Sequence, residues 1–216
     1  MKRIFLLITC AAVFLAACGP ALENTSPELS KISPYPFAQR YLTAVFPFTY
    51  TGNDRKLQAF TASLPDLCVD EMFRTGRFRI VERSRIKAVI KEIGLAQSGV
   101  VDDSQANLIG KQLGAEMILI GSIEAIKPVS KKESVGIAWK ESRGFEVSLK
   151  GRLIDIGRGE VLAVARADAR EVQTRKVAMG TSTGEIAPDE TLINRAMQKA
   201  AAIMINDLAK NAPKKG

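Results

Sequence analysis

The first apolar run, Ile4 to Leu15, follows Lys2 and Arg3 and ends in Leu15-Ala16-Ala17-Cys18. At about a dozen residues it falls short of the ~20 apolar residues that a membrane-spanning helix needs. From Gly19 to Arg40 no apolar period is visible: Pro20, Pro27, Pro34 and Pro36 punctuate a polar stretch that reads as a semi-extended linker. Tyr41 to Phe48 is mostly apolar, interrupted at Pro47, and predicts a first strand. Helical spacing then appears at Leu64, Leu67, Cys68 and Met72, with Ser63 as N-cap, Pro65 and Asp66 in the first turn and Gly76 at the end. Arg77 to Val81 alternates as a short strand. Ile86, Val89, Ile90 and Ile93 then recur at i, i+3, i+4 and i+7 in a helix expected to be capped by Ser84. A third helix is expected from Asp102, with Gln105 at the capping-box position, to Gly114. Ala115 to Ile126 is an almost continuous apolar run, the pattern of a strand buried on both faces.

The pattern then changes to strict alternation. Phe145, Val147 and Leu149 alternate with polar residues in a strand running to Ile156. After Gly157-Arg158-Gly159, Ala163, Ala165, Ala167 and Ala169 alternate with Val164, Arg166, Asp168 and Arg170. This is an antiparallel hairpin, and a further strand is expected at Ser134 to Lys140, carrying Trp139. A Gly/Ser/Thr-rich loop, Gly180 to Gly184, precedes a helix from Pro188 and Asp189 to about Lys210, with Ile193, Ala196, Ala200, Ile203 and Met204 on one stripe. The fold class is therefore α/β: a mixed sheet with flanking helices, ordered strand-helix-strand-helix-helix-strand, then an antiparallel hairpin and a C-terminal helix. The expected organisation is a leader at 1–17, a tether at 18–40, a folded domain at 41–210 and a basic tail at 211–216.

Composition narrows the function. A hydrophobic content of 46% is enough for a real core. The formal charge is +8, to which Lys2 and Arg3 contribute two; between Lys127 and Lys176 twelve Lys/Arg face seven Asp/Glu. That excess reads first as a solvated strand face, and otherwise as a surface for anionic partners. There is no histidine, which excludes a Ser-His-Asp triad, a Cys-His pair and histidine metal ligands. Cys10 belongs to the leader, which leaves Cys18 and Cys68; Cys68 falls on the apolar stripe of its helix and is expected to be a core residue.

The leader supplies the first chemistry. A positive start, a short apolar run and small residues before a cysteine make an export signal that resembles the bacterial lipobox. That resemblance implies cleavage before Cys18 and acylation of its thiol and new amino group, so lipid on Cys18 is the one expected site. The partner there is the bilayer, because acyl chains contribute roughly 0.8 kcal/mol per buried CH₂. Gly19, not Asp, follows the acceptor, and by resemblance to enterobacterial sorting this favours the outer membrane. Export makes nucleic acid an unsuitable ligand.

Other candidate motifs have plainer readings. Ser84-Arg85-Ile86-Lys87 matches the Ser-x-x-Lys of penicillin-recognising enzymes, but Ser84 is explained as a cap and no Ser-Asp-Asn or Lys-Thr-Gly accompanies it. Gly157-Arg158-Gly159 enters a strand, not a helix, and is a turn. Asp102 and Asp103 precede a helix, where carboxylates complement the dipole. No catalytic residue, metal site or cofactor is expected.

Taken in order, Phe78-Arg79-Ile80-Val81-Glu82-Arg83, Ile86 to Ile93, Gly114 to Ile123 and Asp155 to Val161 resemble the CsgG-like curli-secretion lipoproteins across Leu42 to Leu208. Related periplasmic α/β domains occur in lipoprotein activators of penicillin-binding proteins and in the N-terminal domain of TolB. The resemblance implies an envelope lipoprotein whose subunits assemble into a ring and contribute two hairpins each to an outer-membrane barrel. This sequence departs from that pattern. Transmembrane strands need about 9 to 11 residues with one apolar face. Val135 to Leu149 instead has Lys140-Glu141-Ser142-Arg143-Gly144 at its middle, implying a very short hairpin, and Thr174 to Glu190 has no aromatic residue. The expected function is a non-catalytic, homo-oligomeric subunit of an envelope assembly or protein-export apparatus, partnered by other envelope proteins. The alternative is a tethered periplasmic regulator of a peptidoglycan synthase.

Overall fold

Strand β1 (Tyr41–Val45) forms where β-branched and aromatic residues can be buried on both sides, and in the computed structural model it lies inside a seven-stranded sheet. The structure describes residues 22–92 and 103–215. The other strands are β2 (Thr49–Tyr50), β3 (Phe78–Ile80), β4 (Met117–Val135), β5 (Ala138–Asp155), β6 (Val161–Ala178) and β7 (Thr181–Thr183). Their order is β3-β1-β4-β5-β6-β7, with β2 also paired to β4; β1 is parallel to β3 and β4, and each neighbouring pair from β4 to β7 is antiparallel. Helices α1 (Leu64–Thr75), α2 (Arg83–Glu92), α3 (Asp103–Gln112) and α4 (Asp189–Asn211) flank the sheet. The α/β class and the mixed sheet expected from the patterning are what the chain adopts.

The near-continuous apolar run of β4 is explained by two cores on opposite faces. Met117, Leu119 and Ile123 face α1 and α4, with Leu149, Leu153 and the alanines of β6, against Cys68, Met72, Met204 and Leu208. Ile118 and Ile120 face Ile86 of α2 and Ala106 and Ile109 of α3. Ala163, Ala165, Ala167 and Ala169 let α4 approach β6 closely, while Val164, Arg166 and Asp168 remain exposed. Gly76 ends α1 at φ +62°, a left-handed conformation that a Cβ would oppose.

Three features differ from the sequence reading. Ser134 to Lys140 is not a separate strand: it holds the tip of a continuous β4–β5 hairpin, in which Met117 pairs with Asp155 at one end and Val135 with Ala138 at the other. Gly136, at φ +57°, takes the first central position of the two-residue turn, as a type II′ turn requires. Ser84 is not the cap of α2. Glu82 precedes the helix, its carboxylate accepts from the Ser84 N–H at 2.7 Å, and the Ser84 hydroxyl also donates to it. Ile93 and Asp102 lie outside the described residues.

The third difference concerns the Pro/Ser-rich stretch, which is docked along part of its length. Asn24 donates to the Val172 carbonyl at 3.0 Å and accepts from its N–H at 2.6 Å. The Thr25 N–H donates to the Arg170 carbonyl at 2.9 Å. Ser30 and Asn206 of α4 exchange two hydrogen bonds of 3.0 Å, and the Tyr35 hydroxyl donates to the Ala212 carbonyl at 2.9 Å. The strap satisfies edge groups of β6 that would otherwise be open to pairing. Because Asn24 meets Val172 and Thr25 meets Arg170, it runs antiparallel to β6.

Candidate functional site

Beyond the start of α4, strands β4, β5 and β6 continue past the helix that covers them, and the β6–β7 turn lies beside the β4–β5 tip. Trp139 pairs with Ser134 on one side and Val177 on the other. Lys132 and Arg175 lie over its ring, at 5.4 and 5.2 Å from the centroid. Glu141 is 3.8 Å from Arg175, and Glu133 bridges Lys131 at 2.9 Å and Lys140 at 3.9 Å. Arg143 reaches Asp189, at the start of α4, across 3.2 Å. Lys131, Lys132, Lys140, Arg143, Arg175 and Lys176 thus face two strand carboxylates, Glu133 and Glu141, so this end is strongly cationic.

Its two turns carry exposed apolar side chains. Ile137 is 75% exposed and Met179 is 85% exposed. Met179 also sits at φ 51° with Gly180 at φ 79°, and it is the only non-glycine residue at positive φ among those described. A left-handed conformation costs a bulky residue about 1–2 kcal/mol. Asparagine or glycine is the ordinary choice there, so the fold carries both strain and an exposed thioether at this point, the combination expected of a contact surface.

The end is long enough to enter a bilayer but has the wrong faces. Its strands form one ladder, not the very short hairpin read from the sequence. One face presents Lys132, Glu141, Arg143 and Arg175; the other presents Lys131, Glu133, Lys140 and Lys176. A lipid-facing strand pair needs one face that is apolar over about 9 to 11 residues, and neither face supplies it.

The remaining candidates are structural. Cys68 is fully buried and burial pushes its thiol well above the usual range. The Ser84 hydroxyl is held by Glu82. In the Gly157-Arg158-Gly159 turn, the Arg158 N–H donates to Asp155 at 2.9 Å and its guanidinium lies 3.2 Å from the same carboxylate. Partial burial opposes ionisation of Asp155, but the Arg158 N–H and guanidinium outweigh it and hold the carboxyl below the usual range. Glu116 behaves alike: burial opposes its charge, yet the Leu42 N–H, Lys215 and Arg79 hold it low. Sequence reasoning missed the Glu116–Lys215 contact and the strap, and the alternation of Val135, Ile137 and Trp139 was its trace of the long hairpin.

The curli production assembly/transport component CsgG family matches residues 29–214. The chain belongs to the CsgG family. No curated protein matches it by sequence. Among solved structures it is similar to the LpoB C-terminal domain from Escherichia coli, at 16% identity and a TM-score of 0.43, covering 60% of this chain and 82% of that one. It is similar to lipoprotein GNA1162 from Neisseria meningitidis, at 13% identity and a TM-score of 0.41, covering 72% and 91%. The PelC dodecamer from Paraburkholderia phytofirmans gives 12% identity and a TM-score of 0.37, covering 88% and 97%.

Proposed function

We propose that this CsgG-family chain is an outer-membrane lipoprotein, lipidated on Cys18, that serves as a non-catalytic, homo-oligomeric subunit of an envelope assembly or export apparatus. In this reading its hairpin end rests against lipid headgroups without crossing the bilayer. The family match supports the assembly or export role. The observation that carries the orientation is the docked strap. It runs antiparallel to β6, so at Asn24 and Thr25 its N-terminal direction is toward the hairpin end. Five residues lie between Cys18 and Asn24, six steps along the chain with a reach of at most about 21 Å. The strand from Val172 to Ala178 advances about 20 Å, so a lipid on Cys18 can lie level with the tips. Interfacial tryptophan, exposed Ile137 and Met179 and a cationic collar suit an anionic headgroup layer.

The synthase-regulator alternative needs a long reach from the membrane. A tether with residues 24–35 held on the domain provides little of it.

Trp139 is the only tryptophan of the chain, so its fluorescence reports this contact directly. The purified lipoprotein in vesicles containing phosphatidylglycerol should show a blue-shifted emission, quenched by brominated lipids labelled near the headgroup. Unchanged emission, with the protein demonstrably bound through its lipid, would reject the orientation. Cys18→Ala should leave the precursor uncleaved and without incorporated palmitate; normal labelling of that variant would reject the anchor.

A further inference from the structure

The parallel ladder beside β4 is interrupted at Pro47. Val45 stands opposite Leu119 and Thr49 opposite Ser122, so three residues face two across the gap. Proline has no N–H to give the ladder, and the chain leaves the sheet and rejoins it at Thr49. The opening is a groove of about 200 Å³, lined by Pro47, Thr49, Ile120, Ser122, Lys150 and Arg152. It lies on the sheet face away from α4, where the second core ends at Ile120.

Topology, charge and donor chemistry converge on this groove. The connection from β1 to β3 runs through α1 on one face, and that from β3 to β4 runs through α2 and α3 on the other. The carboxyl end of β1 beside β4 is therefore the switch-point crevice in which open α/β sheets take ligands. Lys150 stands directly opposite Arg166, a like-charged cross-strand pair that costs stability. Arg152 follows on the same face. Glu124 lies 3.6 Å from Arg166, and Lys150 has no ion-pair partner among the described residues. Two hydroxyls beside an ammonium are a donor set that recognises a phosphate group.

We propose that this groove binds a phosphate group, carried by a lipid headgroup or by a free phosphorylated small molecule, with Lys150 as its principal charge and Thr49 and Ser122 as hydroxyl donors. The site is separate from the hairpin end and does not depend on how that end meets the membrane.

The test is calorimetric titration of the full lipoprotein in neutral detergent with inorganic pyrophosphate at constant ionic strength. Saturable binding at one site per chain is expected. Lys150→Ala should weaken it roughly tenfold, the scale of one charge-assisted contact, and Lys150→Arg should retain most of it. Lys132→Ala, at the hairpin end, should leave it unchanged. Repeating the titration with phosphatidylglycerol-doped micelles separates the sources: Lys150-dependent binding to the lipid alone assigns a headgroup, and binding of pyrophosphate assigns a free phosphate. A thermal melt of each variant confirms that the fold is retained. Absence of saturable binding to both probes would overturn the proposal, as would loss through Lys132→Ala with Lys150→Ala unaffected.

Discussion

Single residues here are set by what surrounds them more than by their own chemistry. Cys68 lies among Leu64, Met72 and the underside of β4, fully buried, and its thiol is held neutral by that burial. Cys68→Ala should cost about 1–2 kcal/mol, the loss of a small core group, with function retained. An alkylating reagent at pH 8 should not modify native Cys68; rapid modification without unfolding would contradict its place in the core. Glu116 gives a pH dependence with a definite sign. Its folded pKa is depressed by the Leu42 N–H, Lys215 and Arg79 acting against its partial burial. The stability it contributes is therefore complete above the unfolded glutamate value of about 4.3 and is lost as pH falls through the lower folded value. Asp155 acts in the same direction. Glu116→Gln should lower the melting temperature at pH 7 and reduce the steepness of acid destabilisation below about pH 4.3. An unchanged acid profile would show that the Lys215 contact contributes nothing.

At the level of elements, the long hairpin depends on close passage of backbones. A Cβ on Gly144 would meet the backbone of Glu171 and Val172 on β6. Gly144→Ala should therefore destabilise the domain by about 1–3 kcal/mol, the usual cost of overpacking, read by chemical denaturation. The β6–β7 turn carries the opposite expectation. Replacing Met179 by glycine removes a left-handed side chain and should stabilise the fold by roughly 1 kcal/mol, while weakening association with anionic vesicles. A variant that is more stable and binds vesicles equally well would deny the tip its role.

The whole molecule combines an α/β body with a charged, protruding sheet end. With the chain starting at Gly19, the domain should be soluble without detergent, because both faces of that end carry charge. Placing Lys140 or Arg143 on a lipid face near mid-bilayer would cost roughly 2–4 kcal/mol each, in every subunit of an oligomer. Reproducible conductance of the purified lipoprotein in planar bilayers, abolished by deleting residues 135–143, would instead restore a spanning pore. Size measurement in detergent should give a species several times the mass of one chain.

Much of this architecture was legible in the sequence because it rests on local periodicity. The stripe Leu64, Cys68, Met72, the stripe Ile193, Ala196, Ala200, Met204 and the alternating alanines of β6 each name their buried face, since burial follows the repeat of the element. The family resemblance was legible for the same reason: its ordered segments are these core elements. What the tertiary structure decided are the features held by partners distant in the chain. Asn24 finds Val172, Tyr35 finds Ala212 and Lys215 finds Glu116, and no local pattern marks such pairs. Ser134 to Lys140 alternates like a strand because it is strand on both sides of a two-residue turn, and only pairing across Gly136 and Ile137 distinguishes a tip from a separate strand. Ser84 lost its capping position because the helix begins one residue earlier, at Arg83, where the Glu82 carboxylate accepts from the Ser84 N–H. The Pro47 groove likewise exists only through register, where a residue without an N–H meets β4 and brings Thr49 and Ser122 beside Lys150.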